Sequence, residues 1–134
     1  MDGVTVRRIS GRQLQSTARG HSVTTDRKAE DGGTDTGCTS GELLLMAIGS
    51  CAAGSSRRYL EGLGIDCPGL ALHLRFVPRP DGAHDAISIE LTPPEGVGAE
   101  LLPGLRDEIL RGGVVGRLAR GSDLIIELAE GGAP

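Results

Sequence analysis

The sequence predicts one α+β domain spanning residues 1–134: N-terminal strands, a long buried helix, a β-hairpin, a second helix and a C-terminal strand. Three observations lead there. Short alternating segments open the chain; a wholly apolar run, Leu43–Gly54, follows a helix-start signal; two alternating runs, 70–77 and 86–91, flank a Pro/Asp/Gly turn.

Residues 4–9 (VTVRRI) alternate, and Gln13–Thr17 is polar with β-branched content. They read as two strands, or one bent one, broken at Gly11, with His21–Asp26 as a third. Lys28–Gly41 is a Gly/Asp/Thr loop of 14 residues, a length that marks a functional or mobile segment. Thr39-Ser40-Gly41-Glu42 then fits a capping box: the Thr39 hydroxyl accepts from the amide of residue 42, and the Glu42 carboxylate accepts from the cap amide. Leu43–Gly54 is apolar or small on every side, the pattern of a helix buried all round. Its second half is Gly, Ser, Cys and Ala, which lets another helix approach closely. Ser55–Glu61 returns it to solvent, and Gly62 or Gly64 ends it.

Leu70, Leu72, Leu74 and Phe76 alternate with Ala71, His73, Arg75 and Val77 up to Pro78 and Pro80. After Asp81-Gly82, Ile87, Ile89 and Leu91 alternate again, so the pair reads as an antiparallel hairpin. Leu101, Leu102, Leu105, Ile109 and Leu110 recur at helical spacing, with Pro103 tolerated in the first turn and Gly112-Gly113 as the stop. Val114–Arg120 can add a turn or two, and Asp123–Leu128 (DLIIEL) reads as the closing strand.

Composition excludes several function classes. With 38% hydrophobic and 24% charged residues, the chain is of soluble globular type. Tyr59 and Phe76 are its only aromatics, too few for a platform on which bases stack, and a net charge of −4 argues against a phosphate-binding surface for nucleic acid. The apolar run is well short of the roughly 18 residues of a membrane span, and the start, MDGVTVRR, carries no secretory core. Cys38, Cys51 and Cys67 form an odd, sparse set without CxxC, which points to a reducing compartment, by default the cytoplasm. His21, His73 and His84 share no ligand spacing with each other or the cysteines, so no metal is expected; the glycines of Asp31-Gly32-Gly33 open no nucleotide frame, so no cofactor is expected. The 22 glycines and scarce aromatics leave a thin core that a partner subunit would complete.

Cys51 carries the chemistry if any residue does. A free cysteine in an apolar helix often serves as a small hydrophobe; as a nucleophile it needs a nearby cation, because the thiolate is the reactive form. Glu42 has a complete local role in the capping box, and Arg12 or Arg19 in a surface strand needs no function.

The run Gly32-Gly33-Thr34-Asp35-Thr36-Gly37, followed by Glu42-Leu43-Leu44-Leu45-Met46-Ala47-Ile48-Gly49-Ser50-Cys51, resembles the signature of the OsmC/Ohr family. That family comprises the osmotically inducible and organic hydroperoxide resistance proteins. The similarity extends to Gly20-His21 and Asp26 upstream and to Leu63-Gly64-Ile65 and the Leu70–Phe76 strand downstream, most of the chain. The resemblance implies an intertwined homodimer of α+β subunits around a long central helix. It also implies a thiol peroxidase that reduces small organic hydroperoxides with Cys51 as the reactive cysteine. An arginine, for which Arg12 is preferred over Arg19, and Glu42 would organise the thiolate. The family's resolving cysteine opens a C-P-V segment; here Gly112 stands at that place and Gly113 at the proline. An external thiol reductant would therefore regenerate Cys51. The alternative is a non-catalytic protein of the same fold, or a stoichiometric redox sensor.

Cys38 and Cys67 are weak substitutes for the missing thiol. Twelve residues of helix span roughly 18 Å, against the ~5.5–6 Å Cα separation of a disulfide. Nine residues at 100° each set Glu42 and Cys51 about 180° apart and roughly 13 Å along one helix. To share a site, Glu42 must come from a partner subunit or act through an intermediary. The glutamate of the Ohr branch lies one residue earlier, where this chain has Gly41.

Overall fold

A computed structural model describes residues 2–82 and 85–129; His84 lies outside them. The element order is the α+β order read from the sequence, with strands before a long helix, then a hairpin, then helices. The chain groups into two compact units, residues 1–50 with 71–92, and residues 51–70 with 93–134.

In the first unit β1 (Thr5–Ser10), β2 (Gln13–Ala18) and β3 (His21–Thr25) form an antiparallel sheet in sequence order. The Ser10↔Gln13 and Ala18↔His21 pairs leave two-residue turns, Gly11-Arg12 and Arg19-Gly20. Two-residue hairpin turns need a left-handed residue to match strand twist; Gly11 supplies it at φ 54°, and Arg19 does so at φ 60°. Both candidate arginines therefore sit in turns rather than on strands.

The loop after β3 is ordered by one carboxylate. Asp26, only 4% exposed, accepts five hydrogen bonds through its side chain. These come from the amides of Arg27 (2.7 Å), Thr34 (3.2 Å) and Thr36 (3.1 Å) and the hydroxyls of Thr34 (2.8 Å) and Thr36 (2.7 Å). The Asp26 amide donates to the Cys38 carbonyl at 3.0 Å, beside a parallel Thr25–Cys38 bridge. Gly33 and Gly37 permit the fold-back, because a Cβ at either would collide with the backbone of Arg27 or Thr24.

Helix α1 (Ser40–Gly62) starts at the capping box foreseen for it: Glu42 N donates to Thr39 Oγ1 at 3.2 Å, and Thr39 N donates to Glu42 Oε1 at 2.9 Å. Its first half packs on the hairpin of β4 (Ala71–Val77) and β5 (Ala86–Thr92), which pair in continuous antiparallel register from Ala71↔Thr92 to Val77↔Ala86. Gly49 admits Leu74, whose Cδ1 would lie 2.9 Å from an added Cβ, and Phe76 lies against Gly41. The helix is not covered all round as expected. Ile48 is buried, but Leu44 is 43% and Met46 56% exposed. The apolar circumference exceeds what one hairpin can cover.

The second unit holds the rest of α1, α2 (Leu102–Arg111) and α3 (Gly113–Arg120). Its core is Ala52, Leu60, Leu105, Ile109 and Val115, closed by buried Ser55 and Ser56. The Ser56 hydroxyl donates to the Ala52 carbonyl at 2.8 Å, so its polar group costs little where it is buried. Gly104 lies directly against the Tyr59 ring, so a larger residue there would have to displace the phenol. Glu108 accepts from Arg111 at 2.7 Å and faces Arg58 at 3.6 Å; the Arg111 hydrogen bond, ahead of the charges, holds its carboxyl below the ordinary range.

One expected element is not formed. Residues 121–129 pair with no strand, and Leu124, Ile125, Ile126 and Leu128 are 83–97% exposed. The segment has strand-type residues, but a strand exists only when an edge accepts its backbone hydrogen bonds.

Candidate functional site

Cys51 begins the second unit's share of α1, where Gly, Ser and Ala keep the surroundings small. The side chain is half-buried. Its thiol donates to the Gly112 carbonyl across 4.0 Å, and that carbonyl also accepts the Gly116 amide at 2.7 Å. Gly112 is extended (φ −87°, ψ 143°) and caps α3; Gly113 begins α3 at φ 35°, a left-handed conformation that disfavours side chains. A Cβ built on Gly113 would lie 3.3 Å from the Cys51 sulfur, whereas one on Gly112 would face Ser55 Oγ at 2.8 Å. The thiol thus meets the carbonyl of Gly112, while a side chain directed at it would have to come from Gly113. The backbone turn from Gly112 into α3 decides which of the two would direct a side chain at it.

Cys38 and Cys67 are also free and half-buried. Cys38 is tied by its backbone to Thr25 and Asp26 in the first unit. Cys67 lies in the turn before β4, its amide donating to Asp66 Oδ1 at 3.0 Å. Among the described residues, no group of three His, Cys, Asp or Glu could hold a metal ion.

Glu42 and Arg12 lie in the first unit. The Thr39 amide, and next the Thr39 hydroxyl, hold the Glu42 carboxyl below the ordinary glutamate range, so it is ionised at neutral pH. Arg12 lines an open pocket of about 260 Å³ together with Arg8, Asp26, Arg27 and Ser40. A second pocket of about 440 Å³ holds Glu42 with Lys28, Asp31 and Thr39, and shares Arg27 and Ser40 with the first. Arg12 and Glu42 therefore flank the same helix start, while Glu42 and Cys51 are nine residues apart on the continuous α1. Arg8 and Arg27 were not foreseen, because no local spacing links a strand, a turn and a loop. Asp26 follows a strand and precedes Thr34 and Thr36, a weak signal for an anchored loop.

The fold is that of the OsmC/Ohr proteins. An osmotic stress-induced and detoxification response protein of Psychrobacter arcticus superposes with a TM-score of 0.73 at 15% identity, covering 87% of each chain. The organic hydroperoxide resistance protein OsmC of Legionella pneumophila gives 0.59 at 13% identity, covering 89% of this chain and 90% of its own. OhrB of Bacillus subtilis, an organic hydroperoxide resistance protein, gives 0.58 at 16% identity with the same coverage. No protein-family model matches the chain, and no curated protein matches it. No helix among the described residues is long and apolar enough to cross a membrane.

Proposed function

We propose that the protein is a thiol-dependent peroxidase that reduces small organic hydroperoxides through Cys51 and is regenerated by an external thiol. The observation that carries this reading is the setting of Cys51: a half-buried thiol on the central helix of an OsmC/Ohr fold, walled by the bare backbone of Gly112 and Gly113. In the first step the Cys51 thiolate attacks the peroxide oxygen distal to carbon. The O–O bond breaks, an S–O bond forms, and the alkoxide takes up a proton to leave as an alcohol. Cys51 becomes a sulfenic acid. One external thiol then displaces water to give a mixed disulfide, and a second releases Cys51 and carries away the disulfide. Gly113 leaves the sulfur open to that reductant.

In this reading Arg12 supplies the positive charge that stabilises the thiolate and Glu42 orients it, both from a second copy of the chain. The exposed Leu44 and Met46 on α1 and the unpaired apolar segment 124–128 support a homodimer in which those surfaces are covered. In this reading the enzyme works in the cytoplasm, where its sparse free cysteines stay reduced.

Stopped-flow consumption of cumene hydroperoxide with a dithiol reductant tests the reading. Turnover should be lost in Cys51→Ser, and mass spectrometry should find oxygen added at Cys51 when reductant is withheld. If no thiol supports turnover and Cys51 stays unoxidised, the protein is a non-catalytic member of the fold. Stoichiometric oxidation without turnover would make it a sensor. Sedimentation tests the dimer separately, and a compact 13.8 kDa species would refute it.

A further inference from the structure

We propose that the pocket between the β1–β2 turn and the start of α1 is a binding site for a small oxyanion, the phosphate or carboxylate group of a ligand. Three arginines, Arg8, Arg12 and Arg27, line this one pocket of about 260 Å³. They come from a strand, a turn and a loop, so tertiary folding alone brings three basic residues to one space. Like charges so gathered repel, and an anion between them relieves that cost.

The one carboxylate lining the pocket is committed elsewhere. Asp26 accepts five hydrogen bonds from Arg27, Thr34 and Thr36, none from a guanidinium. Those bonds keep it ionised, and the wall still carries a surplus of two positive charges. The ion pairs among the described residues involve Arg57, Arg58 and Arg111, not these three. Arg8 gives its Nε to the Gly11 carbonyl at 3.1 Å, which fixes the turn and leaves both terminal nitrogens as donors. The planar fork of arginine suits a carboxylate or phosphate held through two oxygens. Ser40 adds a hydroxyl to the lining.

This site goes beyond the peroxidase reading and shares only Arg12 with it. Its test is therefore run on the Cys51→Ser protein, where thiol chemistry plays no part. Isothermal titration with inorganic phosphate and with acetate, at constant ionic strength, should show one anion bound per chain. Tighter phosphate binding identifies a phosphate-bearing ligand, and tighter acetate binding a carboxylate-bearing one. Arg8→Ala and Arg27→Ala should each weaken binding about tenfold, while Arg27→Lys should retain part of the affinity. Far-UV circular dichroism verifies that the variants fold, and amide shifts of Gly11 and Ser40 on titration locate the anion. If neither anion binds at tens of millimolar, or if Arg8→Ala and Arg27→Ala bind as tightly as the parent, the proposal is overturned.

Discussion

Replacing Gly113 by cysteine should install an internal disulfide with Cys51. A Cβ at Gly113 lies 3.3 Å from the Cys51 sulfur. Standard disulfide bond lengths and angles place the Cβ of one half about 3.0 Å from the sulfur of the other, so a shift of a few tenths of an ångström suffices. The bond would close a loop of roughly 60 residues, which in the chain-entropy picture stabilises by about 4 kcal/mol. Against this, a side chain at φ 35° costs about 1–2 kcal/mol in either redox state. The oxidised variant should thus gain about 2–3 kcal/mol over the parent and the reduced variant lose about 1–2. At roughly 3–4 °C per kcal/mol for a chain of this size, melting should rise by about 6–12 °C on oxidation and fall by about 3–8 °C on reduction. Scanning calorimetry in a Cys38→Ser, Cys67→Ser background measures both, and mass spectrometry confirms the two-hydrogen loss. The same variant treated with one equivalent of cumene hydroperoxide should end as disulfide rather than sulfinic acid. Failure to form the bond with diamide, or an oxidised form no more stable than the reduced one, would refute the placement of Gly113 opposite the thiol.

Asp26 should make the loop sensitive to acid. The Thr36 hydroxyl, then the Thr34 hydroxyl and backbone amides, depress its pKa in the folded state; the stability it confers is present above the unfolded value near 3.9 and lost as pH falls below it. Asp26→Asn should flatten the acid limb of a stability–pH curve, lower Tm by several degrees at pH 7, and expose the 27–37 amides to hydrogen exchange. Thr39→Ala removes one half of the α1 cap and should cost about 1 kcal/mol by urea denaturation without altering the sheet. Leu60, with no exposed surface, anchors the second unit, and Leu60→Ala should cost about 2–5 kcal/mol. A loss under 0.5 kcal/mol would mean that this core is not the packed one described.

The parts legible in the sequence are those governed by neighbours along the chain. The reciprocal bonds of Thr39 and Glu42 need only three residues of separation and form where the pattern placed them. The hairpin of β4 and β5 likewise follows alternation on either side of a turn. Less legible was Asp26, whose partners at 34 and 36 become neighbours only after the chain folds back on Gly33 and Gly37. The segment 123–128 shows the opposite failure. Its residues favour a strand, yet pairing requires an edge that propensity cannot supply.

Sequence by itself determined the α+β order, the start of α1, the resemblance to the OsmC/Ohr family and the cysteine on which the proposed chemistry rests. Each depends on residue type and short spacing. Tertiary structure alone decided that a Cβ on Gly113, and not one on Gly112, would point at the Cys51 sulfur, and that Arg8, Arg12 and Arg27 share one pocket. The first depends on the change from the extended backbone of Gly112 to the left-handed one of Gly113. The second depends on a strand, a turn and a loop meeting in space, where charge acts through distance and not through position in the chain.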